Sequence, residues 1–352
     1  MKPTYLLLGI CVVFLLTTCT PEFNLNATYK DVPVVYGILN FRDSVNYVKI
    51  YKGFQPKESG AVFVDTQNPD SIYYYDDITV VLEEFENDNR TLREDIPLIM
   101  TDYKTAGLKK EPGVFYSGDG GIVYYTKEKL LEDKNYNIKV THKNYEGKIT
   151  EGRTPIVGDF ELVFYSTQFD MLRKDLSIPF TAANNAKDYE FNINFIYFEV
   201  DKNTNKVLKV DTIVKRITTI GQAISTTATG ELKKNFTVTF YDDIAGRLKS
   251  NPNVVRYIGA PNSNGRCIQI RGWAVGESYV KFLQSNQPTA SYIQVNKIYT
   301  NMTSTDSLVF GFLSSRNYTS KMFQTTPTSQ DSLIYGSRTR HLGFRPLLEY
   351  KP

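Results

Sequence analysis

The chain has 352 residues, of which 13% are aromatic, and its formal net charge is +3. Its 25 Tyr and 21 Phe, together with frequent Thr, Val and Ile, favour strands over helices and predict an all-β fold. A charge this close to neutral gives no electrostatic reason to bind nucleic acid, which we exclude as a partner. The length exceeds that of one small sandwich and suits two domains.

The N-terminal residues predict export and attachment to a membrane. Lys2 gives a basic start, and residues 5–16 form an apolar run of about a dozen residues, signal-peptide length and too short to span a bilayer. The Leu-Thr-Thr-Cys sequence ending at Cys19 resembles the lipobox of bacterial lipoproteins, whose cysteine is diacylated. We expect a signal peptide over 1–18, lipidation of Cys19 and a lipidated tether over 19–31. An ordinary signal peptide with an incidental cysteine is the alternative.

Strand patterns follow the tether. Val48 and Ile50 alternate with polar or exposed neighbours in the period of a half-buried strand, and the polar stretch 55–71 predicts a long loop. The strand, turn and strand of residues 136–155 resemble the closing hairpin of immunoglobulin-like and fibronectin-type modules. We therefore expect an N-terminal immunoglobulin-like β-sandwich over 32–156.

The second half predicts a β-sandwich-like domain over 157–352. Residues 189–198 alternate between apolar and polar side chains before becoming apolar on both faces, which is typical of a central strand. One short helix is expected after Asp242 and a second over 277–285, where Pro288 prevents continuation. The fold class is thus all-β, with two immunoglobulin- or fibronectin-like sandwiches in tandem and one or two short helices in the second.

Aromatic clusters flank loops in the first domain. Exposed tyrosines suit both protein interfaces and sugar stacking, because the ring is apolar and the hydroxyl is polar. The alternative is that one member of each pair faces the core. The candidate binding aromatics are Tyr73, Tyr74, Tyr75, Phe115, Tyr116, Tyr124 and Tyr125.

The motifs that carry most enzymatic chemistry are absent from the sequence. Its two histidines, His142 and His341, are about two hundred residues apart, and no HExxH, paired CxxC, GxGxxG or GxSxG pattern occurs. We assign no catalytic residue, no metal ligand and no cofactor, although paired carboxylates for glycoside hydrolysis stay open because their spacing is three-dimensional. His142 and Cys267 lie in predicted strands, so we expect a core histidine and a partly buried free thiol.

Several segments carry a family resemblance. They are the lipobox at Cys19, VPVVYGILN with NYVKIYKGF behind it, the hairpin 136–155, the helix 277–285 and IYTNMTSTDSLVFGFLSSR. The last segment matches the group's usual form at Tyr299, Thr300, Asn301, Phe312, Ser315 and Arg316. Together they resemble an uncharacterised group of Bacteroidota outer-membrane lipoproteins, defined by a domain of unknown function and often encoded beside TonB-dependent receptors. The resemblance implies an outer-membrane lipoprotein facing the periplasm or the cell surface, and no known substrate.

A recurring tripeptide, Asp followed by Ser or Thr and an aliphatic residue, resembles the O-glycosylation acceptor of the same bacterial group. Average residue usage predicts about one match. The alternative origin is structural, because Asp-Ser favours turns and β-branched residues begin strands. The candidate acceptors are Ser44, Ser71, Thr212, Ser307 and Ser332.

These features predict a membrane-anchored, non-enzymatic lipoprotein. We expect it to act as an accessory or ligand-binding partner of an outer-membrane TonB-dependent transport system, with a glycan or a peptide as candidate ligand. A surface adhesin or glycan-binding protein working alone is the main alternative, and a hydrolase that uses clustered carboxylates is a third.

Overall fold

A computed structural model describes residues 31–53, 69–86, 91–109, 121–144, 147–217, 220–286, 299–305 and 308–351. Strands hold 48% of the residues and helices 14%. The prediction of an all-β, sandwich-type fold is confirmed. No helix in these ranges has the length and apolar character that crossing a bilayer requires.

The strands follow one another through both halves of the chain. Up to residue 156 they are β1 (Pro33–Leu39), β2 (Asn46–Lys52), β3 (Ile78–Phe85), β4 (Leu92–Pro97), β5 (Ile99–Asp102), β6 (Ile122–Thr126), β7 (Asn135–His142) and β8 (Ile149–Pro155). Beyond it they are β9 (Gln168–Phe169), β10 (Asp175–Phe180), β11 (Asp188–Asp201), β12 (Val207–Ile217), β13 (Ser225–Thr226), β14 (Leu232–Thr237), β15 (Val254–Ile258), β16 (Arg266–Val275), β17 (Met302–Ser304), β18 (Phe310–Thr325) and β19 (Phe344–Arg345).

Three α-helices lie in the described part of the second half: α1 (Phe240–Arg247), α2 (Glu277–Ser285) and α3 (Pro327–Tyr335). The first two were predicted, although α1 begins before Asp242. The third lies in a Ser/Thr-rich stretch that carried no helix prediction. Its start is nevertheless encoded locally, because the Thr326 side chain accepts a hydrogen bond from the Ser329 amide at 3.2 Å and Pro327 occupies the first turn.

The described strands form three sheets. The largest follows the order β19-β15-β11-β16-β18-β1-β2-β6-β5, with β12 paired to β11 and β9 to β18. A second sheet has the order β17-β8-β7-β3-β4, and a third, smaller one has the order β10-β14-β13. β11 has partners along both edges, which agrees with its prediction as a central strand.

β18 joins the two halves. Residues 310–315 pair in parallel with β1, and residues 316–324 continue as the antiparallel partner of β16. Gly311 makes the first pairing possible: its φ is +93°, and a Cβ there would lie 1.9 Å from the Val35 carbonyl oxygen. Only glycine lets the backbones approach so closely in this conformation.

Two large hydrophobic cores lie on either side of the expected boundary at residue 156. The first contains side chains from Val35 to Ile156, and the second contains side chains from Val157 to Phe344. Met302 and Leu313 depart from the expected division, because both side chains return to the first core, and β17 pairs with β8. The two sandwiches are therefore joined by a shared sheet, since the second one supplies strands to the first.

A candidate binding cleft on the outer face of the large sheet

Four neighbouring strands, β12, β11, β16 and β18, turn one face away from the second core. Alternation along β11 fixes which residues lie there. Tyr189, Phe191 and Ile193 are buried in the second core, so Glu190 and Asn192 point to the opposite side of the sheet. This outer face is polar in β11 because the sequence alternates.

The strand register places polar and aromatic side chains in two neighbouring rows on this face. In one row, Glu190 is opposite Trp273, and Trp273 is opposite Tyr318 on the next strand. In the next row, Asn192 is opposite Arg216 on the other side of β11. The two rows border a cleft of about 500 Å³, within the usual range for small-molecule sites. Its lining residues are Glu190, Asn192, Arg216, Ile217, Trp273, Val275, Tyr279 and Arg316.

Helix α2 forms one wall of the cleft. Val280 packs against Val275 of β16 in a small apolar cluster that also borders Trp273 and Tyr279. The amide of Tyr279 donates a hydrogen bond of 3.2 Å to the Ser314 hydroxyl oxygen, which ties the first turn of α2 to β18. The wall is therefore held by the same strand that joins the two halves of the protein.

The aromatic side chains of the site are accessible to solvent. Trp273 is the chain's one tryptophan and is only partly buried, while the neighbouring Tyr318 is 41% exposed. The guanidinium carbon of Arg271 lies 5.8 Å from the centre of the Trp273 ring, within reach of a cation–π contact. A flat apolar ring is thus presented between polar neighbours.

The polar side chains that line the cleft are not used internally. Within the described ranges, Glu190, Asn192, Arg216 and Arg316 make no side-chain hydrogen bond or ion pair. Burial raises the pKa of Glu190, and the positive charge of Arg316 opposes that shift. Burial likewise raises the pKa of Tyr279. Glu190 and Asn192 are partly buried and the two arginines are exposed, so all four polar groups can hydrogen-bond to a ligand.

A buried ion pair lies at the start of β11, next to the cleft. Lys234 of β14 is fully buried, and its ammonium contacts the Asp188 carboxylate and the Tyr189 carbonyl oxygen, the latter at 3.0 Å. The second oxygen of Asp188 accepts a hydrogen bond of 2.7 Å from the Gly221 amide. Burial lowers the pKa of Lys234, and Asp188 opposes that shift. The pair holds the first residues of β11 beside Glu190.

A second buried polar network lies in the first half, where the expected tether ends. The Asp31 carboxylate accepts hydrogen bonds from the Tyr74 hydroxyl at 2.6 Å and the Lys148 ammonium at 2.8 Å. His142 is 3% exposed, and its Nδ1 lies 3.4 Å from the same carboxylate. The predicted core position of His142 is confirmed. Cys267 is a free thiol, as predicted, but it is completely buried rather than partly buried.

The structure corrects the candidate binding aromatics of the first half. Tyr73, Tyr74 and Tyr124 are at most 3% exposed and belong to the first core. Two of the hydroxyls have partners inside the protein, because Tyr74 donates to Asp31 and Tyr124 donates to a backbone carbonyl at 3.1 Å. Only Tyr75 and Tyr125 keep partial exposure. Phe115 and Tyr116 lie outside the described residues.

The remaining predicted sites are scattered. Ser44 and Thr212 are exposed, and Ser71 and Ser332 are partly buried. Cys19 and Ser307 lie outside the described residues. None of the described ones lines the Trp273 cleft. Modification at these serines and at Thr212 stays a prediction.

The chain was compared with known proteins. No family model matches it, and no curated protein matches it.

Proposed function

We propose that this protein is a non-catalytic, membrane-tethered binding protein and that it holds an oligosaccharide in the Trp273 cleft. One observation carries the proposal: Trp273 and Tyr318 on the sheet face and Tyr279 on α2 lie beside polar side chains that have no partner among the described residues. Sugar rings have apolar C–H faces that stack on aromatic rings, while their hydroxyls need hydrogen-bond partners at the ring edge. The cleft offers both kinds of contact.

Binding is favoured over hydrolysis by the carboxylates of the site. Glycosidases use two carboxylates about 5 to 9.5 Å apart. Among the described lining residues, Glu190 supplies the one carboxylate. A single acid beside an arginine suits hydrogen bonding to hydroxyls better than paired acid and base catalysis.

The site is tested by titrating oligosaccharides into the wild-type protein and the variant Trp273→Ala. We expect the substitution to weaken binding at least about 30-fold, because a buried aromatic anchor contributes ~2 kcal/mol or more. Tyr335→Ala is the matched control, since Tyr335 is an aromatic residue that is 73% exposed and lies outside the cleft. Equal affinities of the wild type and Trp273→Ala for every ligand would refute the assignment of the site.

Tethering through Cys19 is part of the proposal and is supported by the lipobox resemblance. Labelled palmitate should enter the wild-type protein, and Cys19→Ala should abolish both the label and membrane association. Membrane association that survives Cys19→Ala would contradict this part without affecting the cleft.

We further propose that the protein acts as an accessory or ligand-binding partner of a TonB-dependent outer-membrane receptor. This step is supported by the family resemblance and by a binding cleft that could present a ligand to a transporter. Mild crosslinking in the native host should recover such a receptor with the wild-type protein. Recovery of none would favour a surface adhesin or glycan binder that works alone.

A further inference from the structure

The charge around the Trp273 cleft is unbalanced. Three arginines lie on its face, Arg216 from β12, Arg271 from β16 and Arg316 from β18. Glu190 is the one carboxylate among the described lining residues, and burial raises its pKa. A cleft with this excess of positive charge attracts an anionic ligand.

The arginines are also available for direct contact. Neither Arg216 nor Arg316 forms an ion pair or a side-chain hydrogen bond within the described chain, although both line the cleft. Two arginines elsewhere in the protein are engaged, since Arg42 pairs with Asp159 and Arg256 pairs with Glu199 at 2.9 Å. The two cleft guanidinium groups, by contrast, are available to a ligand.

The Arg316 side chain is exposed, and no carboxylate lies within ion-pair distance of it among the described residues. Its charge acts on Glu190 and on Asp43, in both cases opposing a pKa increase caused by burial. The guanidinium therefore keeps its planar fork of donors free, and that fork matches the two oxygens of a carboxylate.

We infer that the oligosaccharide bound in the cleft carries carboxylates, as uronic acid residues do, that Arg316 and Arg216 each bind such a group, and that Trp273 stacks on a sugar ring between them. The inference rests on the proposed function, because it assigns a ligand class to the same cleft. Asn192 would donate hydrogen bonds to hydroxyl groups of the sugar. Glu190 would accept hydrogen bonds from other hydroxyls and would repel the carboxylate if placed against it.

The experiment compares matched ligands on the full chain. The probes are short oligosaccharides of galacturonate, glucuronate, mannuronate and guluronate, each as the free acid and as its methyl ester, which keeps the ring but removes the charge. Titration calorimetry gives the affinity of each form. We expect at least one free acid to bind about 10-fold or more tighter than its ester, because charge-assisted hydrogen bonds are the stronger kind.

Substitutions separate the contribution of the arginines to binding from that of Trp273. Arg316→Gln and Arg216→Gln should each reduce the preference for the free acid while leaving the affinity for the ester largely unchanged. Trp273→Ala should weaken the binding of both the free acid and the ester. Glu190→Gln should strengthen binding of the free acid, since it removes a competing carboxylate. Arg173→Gln is the control, because that side chain is 74% exposed and does not line the cleft. Both cleft arginines are exposed, so their substitution should leave the melting temperature close to that of the wild type.

Each outcome decides one proposal. A free-acid preference that is lost with the arginines supports the inference. Esters that bind as tightly as acids, with both weakened by Trp273→Ala, overturn the inference and leave the proposed function intact. A short poly-glutamate peptide that binds as tightly as the best saccharide would overturn the ligand class. Failure of every saccharide to bind the wild type would overturn the proposed function itself.

Discussion

Replacing Lys234 with methionine should destabilise the second half of the protein severely. The lysine is fully buried, and its ammonium contacts the Asp188 carboxylate and a backbone carbonyl oxygen. Methionine keeps most of the side-chain volume and removes the charge. Asp188 would then remain as a carboxylate whose side chain is only 8% exposed.

The size of the effect follows from the remaining contacts. Breaking a buried ion pair by removing one partner costs about 3 to 5 kcal/mol. Asp188 keeps two backbone donors at 2.7 Å, the amides of Tyr189 and Gly221, which continue to stabilise its negative charge. We therefore expect the lower end of the range, about 3 kcal/mol.

The single tryptophan makes the assay specific. Trp273 belongs to the second half, so its fluorescence in a urea titration reports unfolding of that half. Lys233→Met is the matched control: Lys233 is the preceding residue of the same strand, it is partly exposed, and it forms no ion pair within the described ranges. That substitution should change the unfolding free energy by less than about 0.5 kcal/mol.

A loss below about 1 kcal/mol for Lys234→Met would refute the assignment of a buried charge pair. The double variant with Asp188→Asn gives an independent check, because it removes both charges together. Its destabilisation should be smaller than the sum of the two single losses, since no uncompensated charge is left in the core.

Three further substitutions or reactions test other parts of the structure. Gly311→Ala should lower the unfolding free energy by more than ~2 kcal/mol, because its Cβ would lie 1.9 Å from the Val35 carbonyl oxygen. Gly107→Ala is the control, since Gly107 also has a positive φ, +67°, but a Cβ there would have nothing within 4 Å. It should cost about 1 kcal/mol in the same denaturant titration. Burial holds the native pKa of Glu190 above its ordinary value of 4.5, so its contribution to stability is present at low pH and is lost as pH rises through the native pKa. Glu190→Gln should therefore show a smaller loss of stability than the wild type on raising the pH from about 4 to about 8. Burial raises the pKa of the Cys267 thiol to about 11, so a thiol reagent at about pH 8 should leave the folded protein unmodified and label it after denaturation; rapid labelling of the native protein would contradict this.

Sequence patterns correctly predicted the elements that depend on the residues of a single segment. Helix α2 begins and ends at the residues expected from its apolar face and from Pro288. The alternation in β11 likewise predicted which of its residues face the core and which face solvent. In both cases the signal lies within one segment, so no knowledge of its neighbours was needed.

Pairing between distant segments could not be read in this way. β18 pairs with β1 although the two strands are separated by most of the chain. The sequence of neither strand indicates which strand it pairs with. For the same reason, alternation separated Glu190 from the core face of its strand, but only the register shows that it is opposite Trp273. The tyrosine cluster at 73–75 was misread because the exposure of adjacent aromatic residues depends on their tertiary packing, and Tyr73 and Tyr74 pack in the first core.

The cleft and the junction between the two halves are parts of one structure. The Ser315 carbonyl oxygen accepts a hydrogen bond from the Gly276 amide at 2.9 Å, at the start of the helix that walls the cleft. The Ser315 hydroxyl donates to the Pro155 carbonyl at 2.6 Å and accepts from the Val157 amide at 3.0 Å, at the boundary between the cores. Arg316 is the next residue along β18, so its position is set by the pairing that joins the halves. A substitution that disturbs this junction should therefore weaken ligand binding without touching the ligand, because it moves the arginine and the helical wall together.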